Sequence, residues 1–234
     1  MAVILSGFSA SANLIFNGSF EQGPYQPNMG DNNPGCMNLN YGSTLIPGWI
    51  VLGGRRPDVI GPYGDISWQD NSDIVYYASD GSKFLDLTGW NNDYSYPHGG
   101  IALNQTITTI PGQQYLLSFD VGSSRYYNWG NVPQVTVTIN GNPSTFIFNS
   151  NALLPDTTGF RNSWEHTAFT FIASGEALDL SFQGTTPNPI LTIFLDNVSL
   201  VAVPEPSTFI AGVLELLLPF GACILWSLRK NRTA

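Results

Sequence analysis

Short runs of alternating apolar and polar residues, separated by turn residues, recur along most of the chain. In Gln134–Ile139 the two valines and the isoleucine fall on one face of an extended chain, and the two threonines fall on the other. Successive side chains of a strand point to opposite faces, so this alternation predicts a strand with one buried face. Asn140-Gly141 follows directly and favours a type I′ hairpin turn.

The alternation predicts an all-β domain over residues 13–203, because no segment before Pro204 has convincing helical periodicity. We expect an antiparallel two-sheet β-sandwich, a jelly roll. Three longer runs carry little strand signal, Gln22–Pro47, Arg56–Asp80 and Trp90–Gly99, and such long loops are usually functional or disordered. The predicted strands are Gly48–Leu52, Lys83–Leu87, Gly100–Ile107, Gln114–Val121, Gln134–Ile139, Ser144–Asn149, Trp164–Ile172, Ala177–Gln183 and Leu191–Val201.

The C-terminal tail, residues 204–234, has a different character. Thr208–Leu228 is apolar and 21 residues long, and a helix of that length spans about 31 Å, close to the thickness of a bilayer core. Arg229, Lys230 and Arg232 follow it, and positive charge beside a span marks the cytoplasmic side. The tail therefore predicts one transmembrane helix, with the preceding domain outside. The alternative is a buried helix of a soluble domain, for which the sequence offers no helical partner.

Pro204-Glu205-Pro206, the apolar span and the basic end occur in that order, and together they resemble the PEP-CTERM sorting signal. The resemblance implies that a membrane protease, exosortase, cleaves near Pro204, Glu205 and Pro206. The protein would pass from an anchored intermediate in the inner membrane to the cell surface or extracellular matrix of a Gram-negative-type bacterium. Residues 1–12 end in Ala10-Ser11-Ala12, a signal-peptidase-like site, and predict a truncated signal peptide. The alternative is an ordinary first strand or a ragged terminus.

Composition excludes several functions. The formal net charge is −9, so a polyanion such as nucleic acid would be repelled. The cysteines are Cys36 and Cys223, and the second lies in the predicted span, so no disulfide is expected in the domain. Neither a Gly-x-Ser-x-Gly nor a His-Glu-x-x-His motif occurs, and no spacing singles out the carboxylate pair of a glycosidase. We therefore expect a protein that is not an enzyme.

Several short motifs occur in order along residues 13–201: Asn17-Gly18-Ser19-Phe20-Glu21, Pro47-Gly48-Trp49, Phe84-Leu85-Asp86-Leu87, Pro111-Gly112 and Leu195-Asp196-Asn197-Val198. This series resembles galactose-binding-like jelly rolls of the carbohydrate-binding-module type, closest to a cell-wall-associated branch of unknown function. The resemblance implies a structural Ca²⁺ held by the carboxylates of Glu21 and Asp196, with backbone carbonyls near Ser19 and Lys83. The alternative is that the two carboxylates cap turns or accept backbone N–H bonds.

Sugar binding needs an aromatic ring for one side of the sugar and polar groups for its hydroxyls, and two predicted loops offer both. Rings in turn-rich, polar segments suggest exposure, although they could also pack inward as a satellite core. Trp49 and Trp164 are instead predicted to lie in the core. The predicted ligand-binding residues are Trp90, Tyr94, Tyr96 and His98 in one loop and Arg125, Tyr126, Tyr127 and Trp129 in the other.

The expected function is that of an exported, non-catalytic surface or matrix protein. Its carbohydrate-binding-like sandwich would associate with extracellular polysaccharide. The expected partners are that polysaccharide, an exosortase and, before processing, the membrane. The alternative is a structural protein of the surface or matrix without specific sugar binding.

Overall fold

A computed structural model describes residues 12–27, 35–53, 65–71, 76–89, 98–124, 134–147, 162–185 and 192–204 of the chain. The predicted signal peptide and transmembrane span lie outside these ranges, apart from Ala12. No helix within the ranges is long and apolar enough to cross a membrane. The described strands are β1 (Cys36–Leu39), β2 (Trp49–Leu52), β3 (Ile66–Asp70), β4 (Lys83–Asp86), β5 (Gly100–Leu103), β6 (Gln114–Ser124), β7 (Gln134–Ile139), β8 (Asn142–Ile147), β9 (Asn162–Ile172), β10 (Leu180–Gly184) and β11 (Phe194–Ala202).

The strands form two sheets. Sheet A has six strands in the order β1-β3-β4-β11-β6-β9, and sheet B has five in the order β2-β5-β10-β7-β8. Every pairing between neighbouring strands is antiparallel. The predicted antiparallel two-sheet β-sandwich is therefore confirmed.

The main core lies between the two sheets and is rich in aromatic rings. Phe119 of sheet A meets Phe182 of sheet B with ring centroids 5.1 Å apart at 74°, and Trp49 lies 6.4 Å from Phe182. All three side chains are fully buried. Burying a large apolar side chain stabilises a fold by about 1.5–3 kcal/mol, so the aromatic contacts between sheets hold the sandwich closed.

A second apolar cluster lies on the outer face of sheet A. Phe84 and Phe194 belong to it together with Tyr76 and Ala78, and Trp164 packs against them. Trp164 is only partly buried and donates its indole N–H to the Tyr77 carbonyl at 2.9 Å. The prediction that Trp49 lies in the core is confirmed, whereas Trp164 packs at the margin of this second cluster and not between the sheets.

Two strands were not predicted. β1 lies inside the run Gln22–Pro47 and β3 lies inside Arg56–Asp80. β3 hides its pattern because both of its faces are covered: Trp68 is fully buried, and the polar Ser67 and Gln69 on the other face are also buried. An alternating pattern identifies strands that are exposed on one side, so a strand covered on both sides escapes it.

Several predicted boundaries also change. The strand predicted over Gly100–Ile107 ends at Leu103, one residue before Asn104, whose amide donates to the Gly48 carbonyl at 2.9 Å. Gly48 itself, predicted in a strand, has a φ of 86°, which no strand residue adopts. The predicted hairpin is confirmed: Asn140 and Gly141 have φ values of 47° and 78° between β7 and β8, as a type I′ turn requires.

Candidate functional site

The described residues that follow the two predicted ligand-binding loops both contact the end of β10, at Gly184 and Thr185. The amide of His98, which enters β5, donates to the Gly184 carbonyl at 3.2 Å, and the amide of Thr185 donates to the carbonyl of Gln134, which begins β7, at 2.9 Å. We call this the upper end of sheet B, where β2, β8 and β10 end and β5 and β7 begin. The described flanks of both loops therefore meet at β10.

Of the predicted ligand-binding residues, His98 is the one that the structure describes. Its side chain is 7% exposed, and its backbone carbonyl accepts a hydrogen bond from Gln183 Nε2 at 3.2 Å. It therefore lies beneath the surface of the upper end, where it supports neighbouring groups. Its ligand-binding role stays a prediction, as do those of Trp90, Tyr94, Tyr96, Arg125, Tyr126, Tyr127 and Trp129, which lie outside the described residues.

Below the upper end, an uncharged row of side chains crosses the outer face of sheet B from one edge to the other. The strand registers pair Leu52 with Gly100, Gly100 with Gln183, Gln183 with Thr136 and Thr136 with Thr145. The Thr136 hydroxyl lies 3.0 Å from that of Thr145 and 2.9 Å from that of Thr185. We call these residues the sheet B row. The polar face of β7 in the sequence was the only signal for it, and that face alone looked like ordinary solvent exposure.

Glu21 attaches the N-terminal segment to the turn before β4. Its Oε1 accepts the amides of Ser82 at 2.7 Å and Lys83 at 2.6 Å, and its Oε2 accepts the Ser82 hydroxyl at 2.8 Å. The Lys83 ammonium lies 3.5 Å from Oε2. Burial raises the pKa of Glu21, but the hydrogen bonds from Ser82 and Lys83 and the Lys83 charge outweigh burial, so the pKa is lowered on balance.

Asp196 attaches β11 to the same turn. Its Oδ2 accepts the Ser79 amide at 2.9 Å, the Ser79 hydroxyl at 3.0 Å and the Asp80 amide at 2.9 Å, while its Oδ1 accepts the Asn197 amide at 2.7 Å. Its burial raises the pKa of this carboxyl to about 7, although all of these hydrogen bonds act in the opposite direction. Asp196 thus closes the turn 79–82 over the second apolar cluster.

The predicted calcium ligands therefore have hydrogen-bond donors where a metal would bind. Glu21 and Asp196 bind the same turn, and their oxygens accept N–H and O–H groups. Lys83 brings an ammonium where a cation would sit, and Ser19 lies in the turn before Phe20. Within the described ranges no three His, Cys, Asp or Glu side chains cluster around a common point. This arrangement does not fit a Ca²⁺ cage, so calcium binding stays a prediction that requires these donors to be displaced.

A histidine–carboxylate pair occupies the outer face of sheet A. His166 Nδ1 lies 2.6 Å from Asp120 Oδ1, and Asn197 donates its side-chain amide to Asp120 Oδ2 at 3.1 Å. Asn197 has a φ of 51° at a register shift in β11, which lets it reach β6. No serine, threonine or cysteine of the described residues is hydrogen-bonded to His166, so the pair is not part of a nucleophile–base arrangement there.

The predicted sorting motif begins where the described sandwich ends. The amide of Val203 still donates to the Gln114 carbonyl at 2.9 Å, and Pro204 beyond it is exposed. Glu205 and Pro206 lie outside the described residues. The predicted cleavage motif thus starts directly after the last residue held by the sheet.

These features define the class: an antiparallel β-sandwich of two sheets, with the described flanks of both predicted loops at its upper end. The chain belongs to the family described as protein of unknown function DUF642, whose sequence profile matches residues 13–201. No curated protein matches the sequence.

Similar solved structures include enzymes and binding modules. A Stig cyclase from Fischerella sp. TAU, in complex with (3Z)-3-(1-methyl-2-pyrrolidinylidene)-3H-indole, is 19% identical with a TM-score of 0.55, covering 84% of this chain and 100% of its own. Another cyclase from that organism is 18% identical with a TM-score of 0.53, covering 84% and 99%. The module TmCBM61, in complex with β-1,4-galactotriose, is 14% identical with a TM-score of 0.48, covering 82% and 100%. At these identities the likeness concerns the fold and does not decide between catalysis and binding.

Proposed function

We propose that this chain is an exported, non-catalytic protein of the cell surface or matrix, and that its sandwich binds extracellular polysaccharide at the upper end of sheet B. The observation that carries the proposal is that the described flanks of both predicted aromatic loops, His98 and Gln134, meet at Gly184 and Thr185, next to the sheet B row. A polysaccharide needs an extended, uncharged surface with hydroxyl and amide partners, and Gln183, Thr136 and Thr145 of the row offer such partners on three adjacent strands.

The chemistry of the row favours a neutral sugar chain over a charged ligand. Gln183, Thr136 and Thr145 bring donors and acceptors without formal charge. Aromatic rings from the two predicted loops would add the apolar face that sugar rings require. An oriented amide and several hydroxyls give specificity, because an unmatched polar group in a bound site costs about 1–3 kcal/mol.

The tail supplies the second part of the proposal. Residues 208–228 would anchor an intermediate in the inner membrane with the sandwich outside, and exosortase would cleave near residues 204–206. Pro204 supports this route because it is exposed and follows the last sheet hydrogen bond, so a protease could reach the motif without unfolding β11. A surface-localised form that still contains Trp226 would contradict the cleavage.

The binding proposal is tested with a glycan array and a polysaccharide pull-down, including the exopolysaccharide of the producing cell. We expect Trp90→Ala, Trp129→Ala and Gln183→Ala each to weaken binding at least tenfold, which corresponds to about 1.4 kcal/mol. Thr170→Ala is the matched control, because Thr170 is an exposed strand residue on the other sheet. Binding to no glycan, or equal losses in the control, would contradict the proposal and favour the alternative of a structural matrix protein.

A further inference from the structure

Exposed apolar side chains gather at one end of the sandwich, opposite the upper end. We call it the lower end: β6 and β10 begin there, and β5, β9 and β11 end there. Ile110 and Ile172 are the most exposed of the large apolar side chains described, at 65% and 66%. Ile172 is the last residue of β9 and pairs with Gln114. The backbone carbonyl of Ile110 accepts the Gln113 amide in the turn just before β6. The two side chains therefore flank the first residues of β6.

Three further exposed apolar residues lie towards this end. The Leu14 amide donates to the carbonyl of Leu200, near the end of β11, and the Phe16 amide donates to Gln105, just beyond β5. Leu45 is also exposed and precedes β2, which begins at this end. By contrast, Tyr41, which is 62% exposed, donates its amide to Asp65 before β3 at the upper end.

The chain leaves the sandwich at the lower end too. The Val203 amide donates to the carbonyl of Gln114, the residue that pairs with Ile172 across β6 and β9. Gln113 Nε2 donates to the Val203 carbonyl. Only four steps along the chain separate Pro204 from Thr208, where the apolar stretch begins. Four residues reach about 14 Å at most. The interfacial layer of a bilayer is about 5–7 Å thick on each side, so an anchored tail would hold the lower end against the membrane.

We propose that the lower end of the sandwich docks on the outer surface of the bilayer, with Ile110 and Ile172 inserted among the lipid headgroups while the tail is anchored. This inference rests on the proposed function, in which residues 208–228 span the membrane. The charged side chains described between β9 and β10, Glu176 and Asp179, are acidic. The contact is therefore apolar and suits a zwitterionic lipid surface, because acidic groups gain nothing from anionic lipid.

Docking of this kind would set the orientation of the anchored intermediate. The upper end, with the sheet B row and the two predicted loops, would point away from the membrane. The exposed Pro204 would lie at the membrane surface, where a membrane protease works. The same contact thus presents the predicted cleavage motif to the protease and the predicted ligand surface to the polysaccharide.

The test uses the full chain in phosphatidylcholine vesicles with nitroxide labels on single cysteines. Ile110→Cys, Ile172→Cys and Tyr41→Cys are each made with Cys223→Ala, and the buried Cys36 is left in place. Labelled Cys223 in the otherwise native chain reports on the tail. We expect the ratio of accessibility to oxygen over a water-soluble nickel chelate to be several-fold higher at 110 and 172 than at 41. Circular dichroism of the labelled variants checks that they are folded.

The outcomes separate the two proposals. A lipid-like label at 223 with water-like labels at 110 and 172 would overturn docking and leave the anchor in place. A water-like label at 223 would overturn the anchor and docking together. Lipid-like labels at 110, 172 and 41 alike would also overturn docking by this end, because a bilayer surface cannot cover opposite ends of the sandwich.

Discussion

The buried carboxyl of Asp86 makes the stability of this sandwich depend on pH in an unusual direction. Asp86 ends β4 with its side chain buried, and Thr88 donates both its amide and its hydroxyl to Oδ1. Burial raises the pKa of Asp86 from 3.8 to about 6, while the hydrogen bonds from Thr88 and Ile193 act against that rise. Between pH 3.8 and about 6, the Asp86 carboxyl is therefore still protonated in the native state, whereas it has already lost its proton in the unfolded chain.

The sign and size of the effect follow from that difference. Between pH 3.8 and about 6 the native state binds more protons than the unfolded state, so the free energy of unfolding falls as the pH rises. The full change is about 3 kcal/mol, since each pKa unit is worth about 1.4 kcal/mol. Asp196, with a pKa of about 7, adds a change of the same sign. Above both pKa values the curve is flat with respect to these groups.

The assay is chemical unfolding of the full chain in detergent, followed by the fluorescence of the buried Trp49 and Trp68 at pH values between 4 and 8. We expect Asp86→Asn to remove the Asp86 part of the slope, whatever it does to stability at any one pH. Asp179→Asn, at an exposed carboxyl, is the control and should leave the slope unchanged. Equal slopes in the native chain and Asp86→Asn would refute the reasoning.

Three other perturbations test the packing and the metal. Gly18→Ala should lower the free energy of unfolding by about 2 kcal/mol or more, because the new Cβ would lie 1.9 Å from the Val198 carbonyl oxygen. Gly175→Ala, where the Cβ meets nothing within 4 Å, should be nearly neutral in the same chemical unfolding assay. Phe182→Ala should cost about 3–5 kcal/mol through the cavity it leaves, and a cost below 1 kcal/mol would contradict its central place in the core. If Ca²⁺ binds at Glu21 and Asp196, EDTA should lower the melting temperature, and an unchanged melting curve would argue against the metal.

The strands could be predicted from the sequence wherever one of their faces is exposed to solvent. β7 and β9 alternate clearly, and the Asn140-Gly141 turn specifies the hairpin and its register. β3 could not be predicted in this way, because the polar Ser67 and Gln69 on its outer side are buried. The sequence carries no mark that distinguishes a buried Gln69 from an exposed one.

The candidate site was harder to predict from the sequence, because its contacts join residues that are far apart in the chain. The partners of Asp196 are Ser79 and Asp80, 117 and 116 residues away, and nothing in the local sequence of either segment identifies the other. The sheet B row likewise depends on β10 lying between β5 and β7. Residue types could suggest that Glu21 and Asp196 act together, but only the fold shows that both accept donors from one turn.

The closure of the sandwich by its first and last segments explains how both ends of the domain could be processed without loss of the fold. The Leu14 amide donates to the Leu200 carbonyl, and the Val198 amide donates to the Gly18 carbonyl. The Asn13 side chain accepts the Leu200 amide at 2.9 Å. These contacts begin one residue after the predicted signal-peptidase site and end before Pro204. Cleavage at either predicted site would therefore remove no described strand. Because the paired segments lie beside the lower end, both events would occur on the side that we infer to face the membrane, away from the loops at the upper end.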